Sequence, residues 1–201
     1  MRRKFNNIAA AILAGGKNSR MQGKNKAFIR INGLLIIKRT ITLLKGIFEE
    51  VIIVTNYPKD YELYSKETVI AQDFIKDIGP LGGIHTALSV TSKQAVFFVA
   101  CDMPFLHNAL IRQEAAIFNK TDCDCLVPRI GHVIEPLHAV YKKSIRGDIH
   151  NFVKKNSDYS IRGFLQEADV FYWDINESRF KKDIFKNINT SDDLAKLKGS
   201  L

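Results

Sequence analysis

The sequence has twelve glycines but lacks the two commonest glycine-rich phosphate-binding motifs. The dinucleotide fingerprint G-x-G-x-x-G does not occur. The P-loop pattern G-x-x-x-x-G-K-[ST] is also missing, because the gap from Gly16 to Gly23 is too long and Lys24 is followed by Asn25. These absences exclude the common dinucleotide-binding and P-loop assignments.

Cysteine is scarce, with three residues in a chain of 201. The odd count favours reduced thiols, which indicates a cytoplasmic protein. Cys123 and Cys125 are separated by one residue, but no second Cys/His pair follows at the spacing of a zinc finger. The sequence therefore favours two buried strand cysteines over a metal site.

Long apolar runs and linkers are absent as well. The charged start Met1-Arg2-Arg3-Lys4 and the apolar run at residues 8–14 resemble a signal peptide, but the run is far too short for a membrane span. We therefore expect a strand here, with no export and no membrane association. No Pro/Ser-rich linker, low-complexity segment or repeat divides the chain, so we expect one domain over residues 1–201.

Negative charge is in the minority, with 21 acidic against 30 basic residues and a net charge of +9. Such a balance raises the question of nucleic-acid binding. The basic residues do not gather into one stripe, and no helix-turn-helix, zinc finger or pair of stacking aromatics is recognisable. We expect anionic small substrates and no nucleic-acid partner, and duplex binding stays the alternative.

Apolar runs and helical periodicity alternate along the chain. We predict strands at residues 8–13, 27–31, 51–55, 68–71, 95–100, 126–127 and 133–141. The predicted helices cover 34–48, 84–90, 109–118 and a terminal segment from about 191 to 198. This alternation is typical of an α/β protein: a single-domain, Rossmann-like three-layer sandwich around a mostly parallel, twisted sheet.

The segment after the first predicted strand is rich in glycine and positive charge. The strand ends in L-A-G-G at residues 13–16, and Arg20, Lys24 and Lys26 follow. Adjacent glycines leave backbone N–H groups accessible to an anion, and fixed cations attract phosphate oxygens. We infer a loop that binds a nucleoside triphosphate; a basic surface turn is the alternative.

Polar side chains follow three of the predicted strands. Asp102 ends the apolar run V-F-F-V-A-C-D, Asn56 follows residues 51–55, and Asp73 follows residues 68–71. Ligands of open α/β sheets bind beyond the carboxyl ends of the strands. Mg²⁺ is commonly held by one or two carboxylates together with substrate phosphates, which Asp102 could provide. The alternative for all three is an ordinary turn residue.

Three segments resemble one enzyme family. The loop L-A-G-G-K-N-S-R-M-Q-G-K-N-K (13–26) is similar to the signature L-A-[GA]-G-x-S-x-R-M-G-x-x-K of sugar-nucleotidyltransferase-like enzymes, with Asn18, Gln22 and Asn25 as departures. E-P-L-H-A-V-Y (135–141) and F-K-N-I-N-T (185–190) are similar to segments of the MobA-type molybdenum cofactor guanylyltransferases. The resemblance covers nearly the whole chain.

This resemblance implies a nucleotide-diphospho-sugar transferase-like fold and transfer of GMP from GTP to a molybdopterin-type cofactor, with release of pyrophosphate. It implies Mg²⁺ as cofactor and contacts with other proteins of molybdenum-cofactor assembly. The catalytic residues would be Arg20, Lys26 and Asp102, with Asp102 as the metal ligand. Asn187 and Asn189 would contact the pterin; the alternative is that these two side chains cap the final turn. The nucleotide-binding residues would be Leu13, Ala14, Gly15, Gly16, Lys26, Asn56, Asp73 and Asp102.

Two other activities stay open. A related enzyme would use CTP in place of GTP, on the same pterin or on a sugar or polyol phosphate. A non-catalytic nucleotide-binding regulator would result if the departures at Gln22 and Asn25 had removed turnover.

Overall fold

The computed structural model describes residues 3–15, 20–21, 24–175, 184–185 and 187–188. Its strands are short and mostly buried, as expected from their apolar, β-branched composition. In chain order they are β1 (Ile8–Leu13), β2 (Arg20–Met21), β3 (Lys24–Asn25), β4 (Arg30–Ile31), β5 (Leu34–Leu35), β6 (Val51–Val54), β7 (Val69–Ala71), β8 (Ala95–Ala100), β9 (Cys125–Ile130), β10 (Val133–Ile134), β11 (His138–Lys142) and β12 (Val170–Asp174).

Eight of these strands form one sheet within the described residues, with the order β7-β6-β1-β8-β11-β9 and with β10 and β12 both paired to β9. The strands β7, β6, β1 and β8 are parallel, whereas β11 is antiparallel to β8. From β1 the chain builds first toward β6 and β7 and then returns to place β8 on the other side. Such a reversal opens a crevice at the carboxyl ends of the central strands.

Helices cover both faces of the sheet. They are α1 (Ile36–Lys45), α2 (Pro80–Val90), α3 (Asn108–Phe118), α4 (Arg146–Lys155) and α5 (Ile161–Leu165), and shorter 3-10 helices lie at Lys26–Phe28, Pro58–Tyr64 and Lys143–Ile145. Side chains alternate along β1, so that Ile12 packs with α1 and α3 while Ala11 packs with α2, α4 and α5. The predicted three-layer α/β sandwich with a mostly parallel sheet is confirmed.

The prediction of a strand at residues 27–31 was wrong in its first half. The side chain of Asn25 accepts the N–H of Ala27 and caps a 3-10 helix, so that β4 contains only Arg30 and Ile31. The next turn contains Asn32 at φ 52° and Gly33 at φ 80°, a pair suited to a tight hairpin. Because residues 34 and 35 complete this hairpin as β5, the following helix begins at residue 36 and not at 34.

The prediction of one strand over residues 133–141 was also wrong. A turn separates β10 from β11, and its centre is Pro136, which has no N–H to donate to a neighbouring strand. The Glu135 N–H donates to the Pro128 carbonyl, and the His138 N–H donates back to the Glu135 carbonyl. This turn brings residues 135–137 to the same edge of the sheet as the end of β8.

Other boundaries differ by a few residues. The helix expected from residue 84 begins at Pro80, because proline fits the first turn of a helix. The elements α4, α5 and β12 were not predicted. The helix α4 has few apolar residues, and α5 and β12 contain only five residues each. The helix predicted from about residue 191 lies outside the described residues.

Within the described residues, none of the helices combines the length and the apolar character needed to cross a membrane. Cys123 and Cys125 are buried free thiols that belong to different core clusters. The prediction that both pack in the core is therefore confirmed, but only Cys125 lies in a strand, because β9 begins at that residue.

Candidate active site

The end of β1 lies in the crevice where the strand order reverses. Ala14 continues the ladder by donating its N–H to the Val54 carbonyl at 2.8 Å. On the other side, the Cys101 N–H donates to the Leu13 carbonyl at 3.1 Å. The loop that begins at Gly15 therefore leaves the sheet between the ends of β6 and β8.

Asn56 and Asp73, which the sequence places after two different strands, are in contact. The Asn56 Nδ2 atom donates to Asp73 Oδ2 at 3.2 Å. A Cβ atom placed on Gly15 would lie 3.4 Å from each of these two atoms. The structure thus brings together three of the residues predicted to bind the nucleotide, beside the end of β1.

The second carboxylate oxygen of Asp73 is buried and has no hydrogen-bond partner in the described part of the chain. Burial raises the pKa of Asp73, and the hydrogen bond from Asn56 lowers it. A buried acceptor without a partner costs free energy that a donor can recover. The carboxylate is therefore suited to an N–H or O–H group of a nucleoside.

Two glycines in the first turn of α2, Gly82 and Gly83, let this helix pack closely against its surroundings at the pocket. A Cβ atom on Gly83 would lie 2.8 Å from Leu13 Cδ2 and 3.7 Å from Asp73 Oδ1. The Phe74 N–H is held by the hydroxyl of Thr86 at 2.9 Å, which ties the residue after Asp73 to α2. Thr86 was missed by the sequence analysis, because a threonine inside a helix gives no signal of its own.

The second half of the site consists of Lys26 and Asp102. Lys26 is buried, with 3% of its surface exposed, and its Nζ atom lies 3.4 Å from Asp102 Oδ2. Asp102 comes directly after the end of β8 and the Cys101 contact with β1. Two predicted catalytic residues that are 76 positions apart in sequence therefore form one ion pair beside the crevice.

Asn25 is one of the departures from the family signature. Its side chain has a structural role in this protein. Its Oδ1 atom accepts the Ala27 N–H at 3.0 Å, and its Nδ2 atom donates to the hydroxyl of Tyr61 at 2.9 Å. Tyr61 is fully buried, so this contact anchors the 3-10 helix that begins with Lys26. The asparagine thereby positions Lys26 toward Asp102.

The chemistry of Asp102 fits a ligand of Mg²⁺. Its side chain is 17% exposed, so the carboxylate is at the surface of the crevice and not sealed inside the core. The described residues contain no group of three or more His, Cys, Asp or Glu able to hold a metal ion by themselves. Because Mg²⁺ needs only one or two carboxylates when phosphate oxygens and water complete its shell, a site here depends on the bound nucleotide.

The segment predicted to contact the pterin lies next to Asp102. The Ile188 N–H donates to the Asp102 carbonyl at 3.0 Å, and the Oδ1 atom of the neighbouring Asn187 is buried without a partner in the described part of the chain. Gly16 and Asn189 lie outside the described residues. Arg20 pairs with Asn25 in the hairpin of β2 and β3, and only its backbone is described.

Fold and site together define an α/β nucleotidyltransferase, with a glycine-rich sequence after β1, the buried carboxylate of Asp73 and a lysine–aspartate pair beside the crevice. Residues 10–170 match the family model "MobA-like NTP transferase domain", and the chain belongs to this family.

Curated relatives share most of their length with this chain. It is 36% identical over 189 residues to a "Probable molybdenum cofactor guanylyltransferase" of Clostridium perfringens, covering 92% of this chain and 93% of the relative. It is 34% identical over 193 residues to the molybdenum cofactor guanylyltransferase of Syntrophotalea carbinolica, covering 94% and 89%.

A solved structure shows the same architecture. The crystal structure of molybdopterin-guanine dinucleotide biosynthesis protein A from Archaeoglobus fulgidus matches with a TM-score of 0.80 at 26% identity, covering 95% of this chain and 97% of that one. A crystal structure from Mycobacterium tuberculosis matches with a TM-score of 0.75 at 14% identity, which supports the fold alone.

Proposed function

We propose that this enzyme transfers GMP from GTP to a molybdopterin-type cofactor, forming the guanine dinucleotide cofactor and releasing pyrophosphate. The observation that carries the proposal is the ion pair between Lys26 and Asp102. It lies beside the pocket of Gly15, Asn56 and Asp73, at the carboxyl ends of β1 and β8. The names of the relatives that share this fold support guanine and the pterin as the two substrates.

In the proposed reaction the protein positions the two substrates and neutralises the charge of the reacting phosphates. The terminal phosphate of the pterin attacks the α-phosphorus of GTP in line with the departing pyrophosphate. A phosphate is already anionic at neutral pH, so no general base is required. Gly15, Gly16 and Arg20 would cradle the triphosphate, and Lys26 would offset the charge of the reacting phosphates.

We further propose that the divalent metal expected for this family is Mg²⁺ and that Asp102 is its protein ligand. When bound, Mg²⁺ would neutralise charge on the phosphate oxygens. Lys26 and Asp102, whose Nζ and Oδ2 atoms are 3.4 Å apart, would then both serve to offset the charge of the phosphates, the lysine directly and the aspartate by holding the metal.

The proposal predicts a strong preference for guanine. Guanine presents an N1–H and an amino group on one edge, and the buried Oδ1 atom of Asp73 is an acceptor for such donors or for a ribose hydroxyl. Leu13 and Asn56 would complete the pocket. We expect kcat/KM for GTP to exceed the values for CTP, ATP and UTP by at least roughly a hundredfold, because a wrong base leaves buried polar groups unpaired.

Steady-state kinetics of pyrophosphate release with molybdopterin and each nucleotide measure this preference. Equal use of CTP would overturn the guanine assignment and favour a cytidylyltransferase. No pyrophosphate release with any nucleotide, despite binding, would indicate the non-catalytic regulator. Asp73→Asn should reduce the preference for GTP while leaving the fold intact.

Replacement of Lys26 should weaken binding of the triphosphate. Lys26→Met keeps the buried alkyl chain but removes the charge, and we expect the Kd for GTP to rise about thirtyfold, equivalent to about 2 kcal/mol. Isothermal titration calorimetry measures the effect. Lys38→Ala, on the exposed face of α1, is the matched control; an equal loss there would mean that only general positive potential acts.

Three wider properties remain predictions. They agree with the proposed activity, and they are a single nucleotidyltransferase domain over residues 1–201, a cytoplasmic location, and contacts with other proteins of molybdenum-cofactor assembly. The three buried free thiols are compatible with a reducing compartment.

A further inference from the structure

Glu135 lies in the turn before β11, on the side of the crevice that is opposite to Asn56 and Asp73. Because β11 is antiparallel to β8, its first residue, His138, pairs with Val99 near the carboxyl end of β8. The turn before β11 is therefore adjacent to the segment that carries Asp102. In the order of the sheet, Glu135 lies on the β11 side of Asp102, whereas Asn56 and Asp73 lie on the β6 and β7 side.

The backbone of Glu135 is held from both directions. Its N–H donates to the Pro128 carbonyl at 2.9 Å, and its carbonyl accepts the His138 N–H at 3.1 Å. The side chain is half-buried, and it takes part in none of the ion pairs within the described residues. A rigid turn thus presents a carboxylate at the crevice, and this carboxylate forms no ion pair within the described part of the chain, although the charges of His138 and Arg162 favour its ionised form.

The surroundings of this carboxylate favour a ligand that donates hydrogen bonds. Burial raises the pKa of Glu135 and the charge of Asp102 adds to the rise, while His138, the Leu137 N–H and Arg162 lower it. Donors placed on the ionised form compensate for such burial. A phosphate at this position would be repelled, so the ligand group is one that donates hydrogen bonds.

We propose that Glu135 binds the amino edge of the pterin acceptor, accepting hydrogen bonds from its 2-amino group and its N3–H. This proposal rests on the proposed guanylyl transfer. It assigns to Glu135 the recognition of the amino group that distinguishes a pterin from other pteridines. The two donors are adjacent and parallel, the geometry that one carboxylate accepts as a pair. The buried Oδ1 atom of Asn187, beside the Asp102 contact of Ile188, provides another acceptor at the same corner.

Two fluorescent pteridines test this contact without the unstable cofactor. Pterin carries the 2-amino group and N3–H, whereas lumazine carries a 2-oxo group in place of the amine. We expect wild-type protein to bind pterin at least about tenfold more tightly than lumazine in fluorescence titrations. In Glu135→Gln the side chain has one acceptor and one donor, which matches the N3–H and 2-oxo edge of lumazine. The preference should therefore fall or reverse, which simple misfolding cannot produce.

Kinetics of transfer separate this inference from the proposed function. In Glu135→Gln the KM for molybdopterin should rise at least about tenfold, while the Kd for GTP stays within about twofold of wild type. Glu167→Gln, on an exposed turn after α5, is the matched control.

An unchanged pteridine preference and an unchanged KM in a protein that transfers GMP would overturn the role of Glu135. A raised requirement for Mg²⁺ with an unchanged KM would also overturn it, in favour of a second metal carboxylate. If wild-type protein releases no pyrophosphate, the proposed function fails, whatever the pteridine titrations show.

Discussion

Asp102→Asn is expected to lower the rate of guanylyl transfer by at least about a hundredfold while the fold stays intact. The change keeps the size of the side chain and removes its charge. The lost charge is the one that a Mg²⁺ ion and the Lys26 ammonium would share, 3.4 Å from Lys26 Nζ. Single-turnover measurements of pyrophosphate release and a thermal unfolding curve test the two halves of the prediction.

Two further variants make this result specific. Asp122→Asn removes a fully exposed carboxylate that pairs with Lys142, and its transfer rate should equal that of wild type. Lys26→Met combined with Asp102→Asn shows whether Asp102 acts only through the lysine. If the second substitution has no effect in the Lys26→Met background, or if Asp102→Asn alone turns over normally, the metal-ligand assignment is wrong.

The largest expected loss of stability comes from breaking the buried pair of Glu114 and His138. His138 Nδ1 lies 3.1 Å from Glu114 Oε2, and both side chains are 0% exposed. The imidazole is enclosed by the rings of Phe97 and Phe185, with centroids at 4.9 and 5.0 Å. Burial raises the pKa of Glu114 to about 7, and His138 lowers it. Each partner therefore depends on the other to occupy the core.

We expect Glu114→Leu or His138→Phe alone to lower the free energy of unfolding by about 3–5 kcal/mol, because each leaves one buried polar partner uncompensated. The double substitution should recover most of this loss, since an apolar pair in place of a buried polar pair is often neutral. Urea denaturation of all four proteins measures the coupling.

The exposed pair of Lys45 and Glu67 provides the control for this cycle, and removal of either charge should cost at most about 1 kcal/mol. Additive losses at Glu114 and His138 would mean that the two side chains do not stabilise each other. The pair was not predicted from the sequence, because its members are 24 positions apart and each looks like a surface residue of an amphipathic element.

Much of the candidate site could be predicted because its residues follow buried parallel strands. The run from Ala95 to Ala100 is entirely apolar, so Asp102, which follows its end by two residues, could be located from the pattern alone. The same rule failed for Glu135, which lies in the turn between the two-residue strand β10 and the strand β11, both of them antiparallel to β9. The rule of carboxyl ends applies to parallel strands, and the sequence does not reveal that β11 is antiparallel to β8.

By itself, the sequence determined the α/β class, the bounds of the most apolar strands, the position of the glycine-rich basic loop that we predict to bind phosphate, and the three side chains that follow strands. These properties are local, because they follow from composition and periodicity over fewer than about fifteen residues. Only the tertiary structure decided that Lys26 meets Asp102, that Asn56 donates to Asp73, and that the turn at Glu135 faces the same crevice. The physical reason is that strand order and strand direction depend on how distant apolar surfaces pack, and local sequence does not encode this packing.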